Sequence, residues 1–209
     1  MKNSEYLEHN LKLKFNMETE QLIDRETLIL TVEKGQIILL EGERAKSLYF
    51  IIKGIVRGYY IDEKGDEITK CFSMENEFWS TEGFRTKKES SFTIETLERS
   101  NLIKIPYDVI YKIIESDKKI KNSVNNLYFK ELEKVENRAK NLMLLNGEKR
   151  YKEFCKQYSN LQKRVELQYI ASYIGVKPGS LSRIRKKLKI NLWINKCELQ
   201  SQSNILLYI

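Results

Sequence analysis

The chain has 209 residues but a single histidine, His9, and only three cysteines. One imidazole excludes every paired-histidine metal motif. No glycine-rich phosphate loop and no G-x-S-x-G elbow occurs. Ser, Lys and Glu are abundant, but nothing sets them out as an activated group, so no catalysis is expected. Cys71, Cys155 and Cys197 are far apart, odd in number and without metal-ligand spacing, as suits a reducing cytosol. No apolar run approaches a membrane span, and the start, MKNSEYLEHN, lacks the apolar centre of a signal peptide. The expectation is a cytoplasmic, membrane-free non-enzyme without a cofactor.

The charge that is present is unevenly placed. The net +8 divides into +9 over residues 147–209, from 13 Lys/Arg against 4 Asp/Glu, and −1 over residues 1–146, from 24 against 25. A near-neutral front and a basic back predict that the back meets a polyanion. An anionic membrane surface is the competing polyanion. The basic residues follow a compact helix-turn-helix pattern rather than a long amphipathic stripe, which favours nucleic acid.

That pattern is LQYIASYIGVKPGSLSRIRKKL, residues 167–188. Ile170, Ile174, Val176, Leu181 and Ile184 are apolar at offsets that bury two short helices against each other. Ala171 is small at their crossing. Gly175 stands where the turn disfavours a Cβ, and Pro178 suits the first turn of the second helix. Lys177, Gly179, Ser182 and Arg183 are left facing out. This is the layout of a helix-turn-helix whose second helix enters the major groove. An ordinary αα-hairpin with a solvated basic face is the alternative.

The front half reads as short strands rich in Ile, Val, Tyr and Phe, at 36–41, 47–53, 55–61, 67–73, 90–97 and 101–106, separated by glycine turns. Residues 1–29 are expected to be helix and connector. From Ser116 to Leu145 no Gly or Pro occurs. Ile120, Val124, Leu127, Tyr128, Leu132, Val135, Ala139 and Leu142 mark a long helical stripe. It packs on its own roll or pairs with a second chain; beside a reading module, a parallel homodimer is favoured. Asn146-Gly147 ends the helix and is the expected hinge. The fold class is α+β: an antiparallel β-roll (1–115), a dimerisation helix (116–146) and a winged helix-turn-helix (147–209). INLWINKC and NILLYI in the tail are candidate wing strands.

This order resembles the Crp/Fnr family of bacterial transcription regulators. KGQIILLEGERAKSLYFIIKGIVRGYY is similar to the opening of that family's cyclic-nucleotide-binding-like roll, and RVELQYIASYIGVKPGSLSRIRKKL to its reading motif. The resemblance covers roughly residues 20–190. It implies a homodimer on a two-fold symmetric site in double-stranded DNA, contact with RNA polymerase, and a signal sensed in the roll and long helix.

By that resemblance Arg183 reaches guanine edges, where its fork pairs with O6 and N7 together. Ser180 contacts phosphate or a base edge. Gln168 offers a backbone N–H to phosphate. Arg185, Lys186, Lys187 and Lys189 add sequence-independent attraction. Gly179 departs from the family's frequent glutamate, so the half-site is expected to differ at one base or to be read more loosely.

The sensor also departs. Members that bind cyclic nucleotides carry Gly-Glu before a short phosphate-cradling helix and Arg-Ser or Arg-Ala after it. Here Ser80-Thr81 and Ser90-Ser91 stand in those places. The missing arginine removes the fork that would bind the cyclic phosphate. Cyclic AMP is therefore not the expected effector. An unknown small molecule near Trp79, Phe84, Arg85, Ser90, Ser91 and Tyr128 is one expectation, and simple core packing of the aromatics is the other. No N-terminal cysteine cluster exists for iron–sulfur sensing, His9 reads as a surface residue, and Cys71 as a small buried hydrophobe. A sensor or interaction protein that no longer reads an operator is the second functional reading.

Overall fold

The computed structural model describes residues 2–189. The expected wing strands, and Cys197, lie outside those residues. Helices α1 (Asn3–Leu11) and α2 (Met17–Glu26) come first. Strands β1 (Leu28–Val32), β2 (Ile37–Leu39), β3 (Ser47–Lys53), β4 (Val56–Ile61), β5 (Glu67–Ser73), β6 (Phe78–Trp79), β7 (Thr93–Thr96) and β8 (Ser100–Pro106) follow, with a short helix α3 (Gly83–Thr86) before β7. They form two antiparallel sheets, ordered β1-β8-β3-β6 and β2-β7-β4-β5.

Alternation along the strands explains the packing. Ile51, Val56, Trp79, Phe92, Ile94 and Leu102 form one buried cluster. Phe50, Ile103 and Ile105 join a second cluster that takes in Leu7, Phe15 and Ile23 from the N-terminal segment. Glu8 ties that segment shut. Its carboxylate accepts from Lys14 Nζ at 2.8 Å and from the Phe15 N–H at 2.7 Å.

The strands at 47–53 and 67–73 stand where the sequence places them. Three features differ from expectation. β1 begins at Leu28, inside the stretch read as helix and connector, because pairing with β8 orders residues that remain largely exposed. Helix α4 (Tyr107–Ser116), directly after Pro106, buries Val109 and Ile113 and was not expected. The long helix α5 (Lys118–Leu144) starts two residues later than read, because Asp117 leaves the helical conformation and its side chain accepts from the Lys119 N–H at 2.7 Å.

Early in α5, Ile120 and Val124 pack on the second cluster, and further along Lys134 Nζ lies 3.0 Å from Glu77. Phe129, Leu132 and Val135 are exposed, each by more than half. The chain divides into two compact units between Asn137 and Arg138. The second unit holds the last turns of α5, helix α6 (Gly147–Gln157), a 3-10 turn (Leu161–Lys163), helix α7 (Leu167–Tyr173) and helix α8 over 178–189. Asn146 starts α6 by accepting from the Lys149 N–H at 3.0 Å. Tyr151, Phe154, Tyr158, Leu161, Ile170, Tyr173 and Leu181 form this unit's core.

Candidate nucleic-acid interface and sensor cassette

Between α7 and α8 the chain turns at Gly175, whose φ of +67° is the left-handed region that disfavours a side chain. The Gly175 N–H reaches Ser172 O at 3.1 Å, and the Val176 N–H reaches Ala171 O at 2.9 Å, closing α7. Pro178 then opens α8. Ile170, Ala171, Ile174 and Leu181 are buried, while Val176 and Ile184 are half-buried. The packed face therefore matches the apolar positions of the sequence.

The opposite face carries the expected DNA-contacting residues. Gln168, Lys177, Gly179, Ser182, Arg183, Lys186 and Lys187 are exposed, and Ser180 is half-buried. Arg183 Nε lies 3.4 Å from Gly179 O one turn back, leaving the rest of its fork outward. Gln168 Nε2 donates to Glu166 at 3.0 Å.

Two of the expected contacts point elsewhere. Lys187 Nζ lies 2.9 Å from Glu148, which Lys152 also approaches at 3.1 Å. The hydrogen bonds from Lys187 and then Lys152 hold the Glu148 carboxyl below its ordinary value. Arg185 is half-buried beside the Tyr151 hydroxyl and Cys155. That hydroxyl donates to Gln162 at 3.1 Å, and burial leads the causes that push it up to about 12. Glu148, Tyr151 and Gln162 seat α8 and were not found in the sequence. Glu148 and Lys187 are 39 residues apart, and no local pattern joins them.

In the roll, the expected effector residues surround β6 and α3. Trp79 is buried with its ring 5.5 Å from Tyr49. Phe84 is buried, stacks on Tyr111 at 5.2 Å and Tyr128 at 6.0 Å, and meets Tyr107 edge-on at 4.8 Å. The Tyr111 hydroxyl donates to Phe84 O at 2.5 Å. Burial pushes the Tyr128 hydroxyl up to about 12. Arg85 is exposed.

Ser90 and Ser91 are engaged within the loop. Ser90 Oγ donates to Phe92 O at 2.7 Å, and the Ser91 N–H donates to Glu82 at 2.7 Å. Burial pushes the Glu82 carboxyl up, but hydrogen bonds from Ser91 and from its own backbone N–H, with the Lys70 charge, together outweigh it and leave the group below its ordinary value. Ser90, at the arginine's place, and Ser91 beside it thus spend these donors internally, the latter on the Glu82 carboxylate. This donor set does not fit a cyclic phosphate.

Residues 29–117 match the family model of the cyclic nucleotide-binding domain. The chain is similar to Electron transport regulator A of Shewanella oneidensis, 26% identical over 143 residues, covering 68% of this chain and 57% of that one. It is also similar to the Fumarate and nitrate reduction regulatory protein of Vibrio cholerae, 24% identical over 176 residues, covering 79% and 69%. A solved structure assigned to the Crp/Fnr family, from Eubacterium rectale, shares the fold with a TM-score of 0.69 at 19% identity, over 85% of each chain. The roll is thus of the cyclic nucleotide-binding class. Over most of its length the chain is similar to these regulators, and it shares the fold of the solved Crp/Fnr structure. Among the described residues no helix is long and apolar enough to cross a membrane.

Proposed function

We propose that this chain is a cytoplasmic, sequence-specific DNA-binding transcription regulator that reads a two-fold symmetric operator as a homodimer. In this reading residues 1–115 sense a signal, 116–146 pair the two copies, and 147–209 read double-stranded DNA and bring the dimer to RNA polymerase. The observation that carries it is the two-sided α8: Leu181 and Ile184 pack inward, while Ser182, Arg183 and Lys186, with Lys177 just before the helix, face solvent. Arg183 reads a guanine; Gln168, Lys177, Gly179, Ser180 and Lys186 lie at phosphates or base edges. The exposed stripe of Leu132, Val135 and Leu142 on α5 supports pairing of two copies.

The signal in this reading is not cyclic AMP, because Ser90 stands where an arginine fork would bind the phosphate, and its Oγ donates to Phe92 O instead. Selection of the purified protein on random duplexes, at low and near-physiological salt, tests the function. The expected result is an inverted repeat with half-site centres about one helical turn apart. Salt-sensitive binding with no enriched sequence would instead support an interaction protein that no longer reads an operator. The engagement of Arg185 with Tyr151 and of Lys187 with Glu148 favours that second reading.

A further inference from the structure

Two arginines in the second unit spend their guanidiniums on helix ends. Arg150, on α6, donates from Nη1 to Leu145 O at 2.8 Å and Leu142 O at 3.4 Å, and from Nη2 to Gly175 O at 3.1 Å. Arg138, in α5, donates from Nε and Nη2 to Tyr173 O at 3.2 and 3.1 Å, with its guanidinium 4.4 Å above the Tyr173 ring. Leu142 and Leu145 bear carbonyls at the end of α5. Tyr173 and Gly175 bear carbonyls where α7 gives way to the turn. Both helix ends leave acceptors that no further turn satisfies, and both carry the negative end of a helix dipole. A planar fork of five donors spans two such ends at once; a lysine does not.

The packing beneath is close. A Cβ on Gly175 would lie 3.1 Å from Leu142 Cδ2, and one on Gly147 would lie 2.9 Å from Val176 Cγ1. The last turns of α5, the start of α6 and the turn before α8 are thus one packed body. The reading helix takes its direction from the end of α5, with no loose linker between them.

We propose that Arg138 and Arg150 set the half-site spacing this protein accepts. This rests on the reading of α5 as the pairing helix and α8 as the reading helix. Two copies joined along the last turns of α5, where Leu142, Met143 and Leu144 are exposed in the same unit as α8, then present their α8 helices at one separation and one rotation. Adding one base pair turns a half-site by about 35° and shifts it by about 3.4 Å, since a helical turn is about 10 base pairs and about 34–36 Å. Accommodating that requires the guanidinium–carbonyl joints to give. Both arginines are positioning residues with no role in reading bases.

The test uses the full chain and duplexes built from the half-site enriched by selection. The half-sites are set at the selected spacing, at one and two base pairs more or fewer, and singly. Wild type is expected to lose about tenfold in affinity, or about 1.4 kcal/mol, for one base pair of change. Arg150→Gln and Arg138→Gln are expected to bind the single half-site like wild type, with the spacing preference reduced to about threefold. Arg150→Lys should fall between, because an ammonium keeps the charge but holds one helix end at a time. Thermal melting checks folding. If Arg150→Gln does not fold, Arg138→Gln, which leaves the three Arg150 bonds in place, carries the test. Unchanged spacing preference in the folded variants, or equal loss on every duplex including the single half-site, overturns the inference while leaving the function standing. Failure of wild type to enrich any half-site removes the function and the inference with it.

Discussion

Arg183 has the exposure and the free fork that base reading requires, and Lys186 has the exposure but only a point charge. The two substitutions should therefore differ in kind. Arg183→Ala is expected to cost about 1–3 kcal/mol and relax specificity at one position, while Lys186→Ala weakens all sequences alike and lowers the salt slope by about one. Affinity against a panel of single-base operator variants at several salt concentrations separates them. Glu148 works in the other direction. Its carboxyl lies below the ordinary value in the folded chain, so its contribution is present above the ordinary value of 4.5 and is lost as pH falls through the lowered one. Glu148→Gln should flatten the acid limb of a melting-against-pH curve and, by releasing Lys187, steepen the salt dependence of DNA binding by about one. At this scale the sequence speaks clearly where a residue serves its own helix, as Gly175, Pro178 and Leu181 do. It is silent where a partner is remote. Arg185 and Lys187 read as unpaired outward cations, yet Tyr151 engages the half-buried Arg185 and Glu148 pairs with the exposed Lys187. Arg57, in a strand, is fully buried beside Glu67 and Glu95.

Helix α5 and the cassette helix α3 show how elements divide their faces. The first turns of α5 are absorbed by the roll through Ile120 and Val124, but Leu132 and Val135 stay 52% and 55% exposed, so the apolar stripe changes partner partway along. A charge there meets solvent in a single copy and an apolar seam in a pair. Leu132→Asp and Val135→Asp are expected to leave the melting curve of dilute protein unchanged, with wild type sedimenting as a dimer and the variants as monomers at the same concentration. Phe84 is the contrary case, because α3 spans only residues Gly83–Thr86 and its position depends on one ring among Tyr107, Tyr111 and Tyr128. Phe84→Ala should cost about 3–5 kcal/mol in denaturant unfolding. Periodicity exposed the eight-position stripe of α5 to a reader of the sequence. It gave no warning of α3 or β6, which are too short to repeat, or of Asp117, which stops α4 and starts α5 within one residue.

For the whole molecule, the division of charge and the division of structure nearly coincide. The near-neutral roll and the basic helix-turn-helix belong to separate compact units. The order of roll, long helix and helix-turn-helix was legible because each part carries its own period: two in the strands, near 3.6 in α5, and a glycine turn in the reading motif. What the roll senses was not legible, since the cassette differs from its relatives by what is missing. Calorimetry with cyclic AMP is expected to show no binding at micromolar concentrations, and a micromolar or tighter affinity would contradict the reading of Glu82, Ser90 and Ser91.

Trp79 gives the molecule an optical property as well. Its indole is 5% exposed, packed against Tyr49, and one residue from Ser80, whose Oγ lies 2.7 Å from the Tyr107 hydroxyl. The other tryptophan of the chain is Trp193. A Trp193→Phe protein would therefore carry one tryptophan, set in the roll beside the cassette. Its emission would change whenever a small molecule, a partner or a shift of α3 disturbed that neighbourhood, so a library of candidate signals can be screened by light alone.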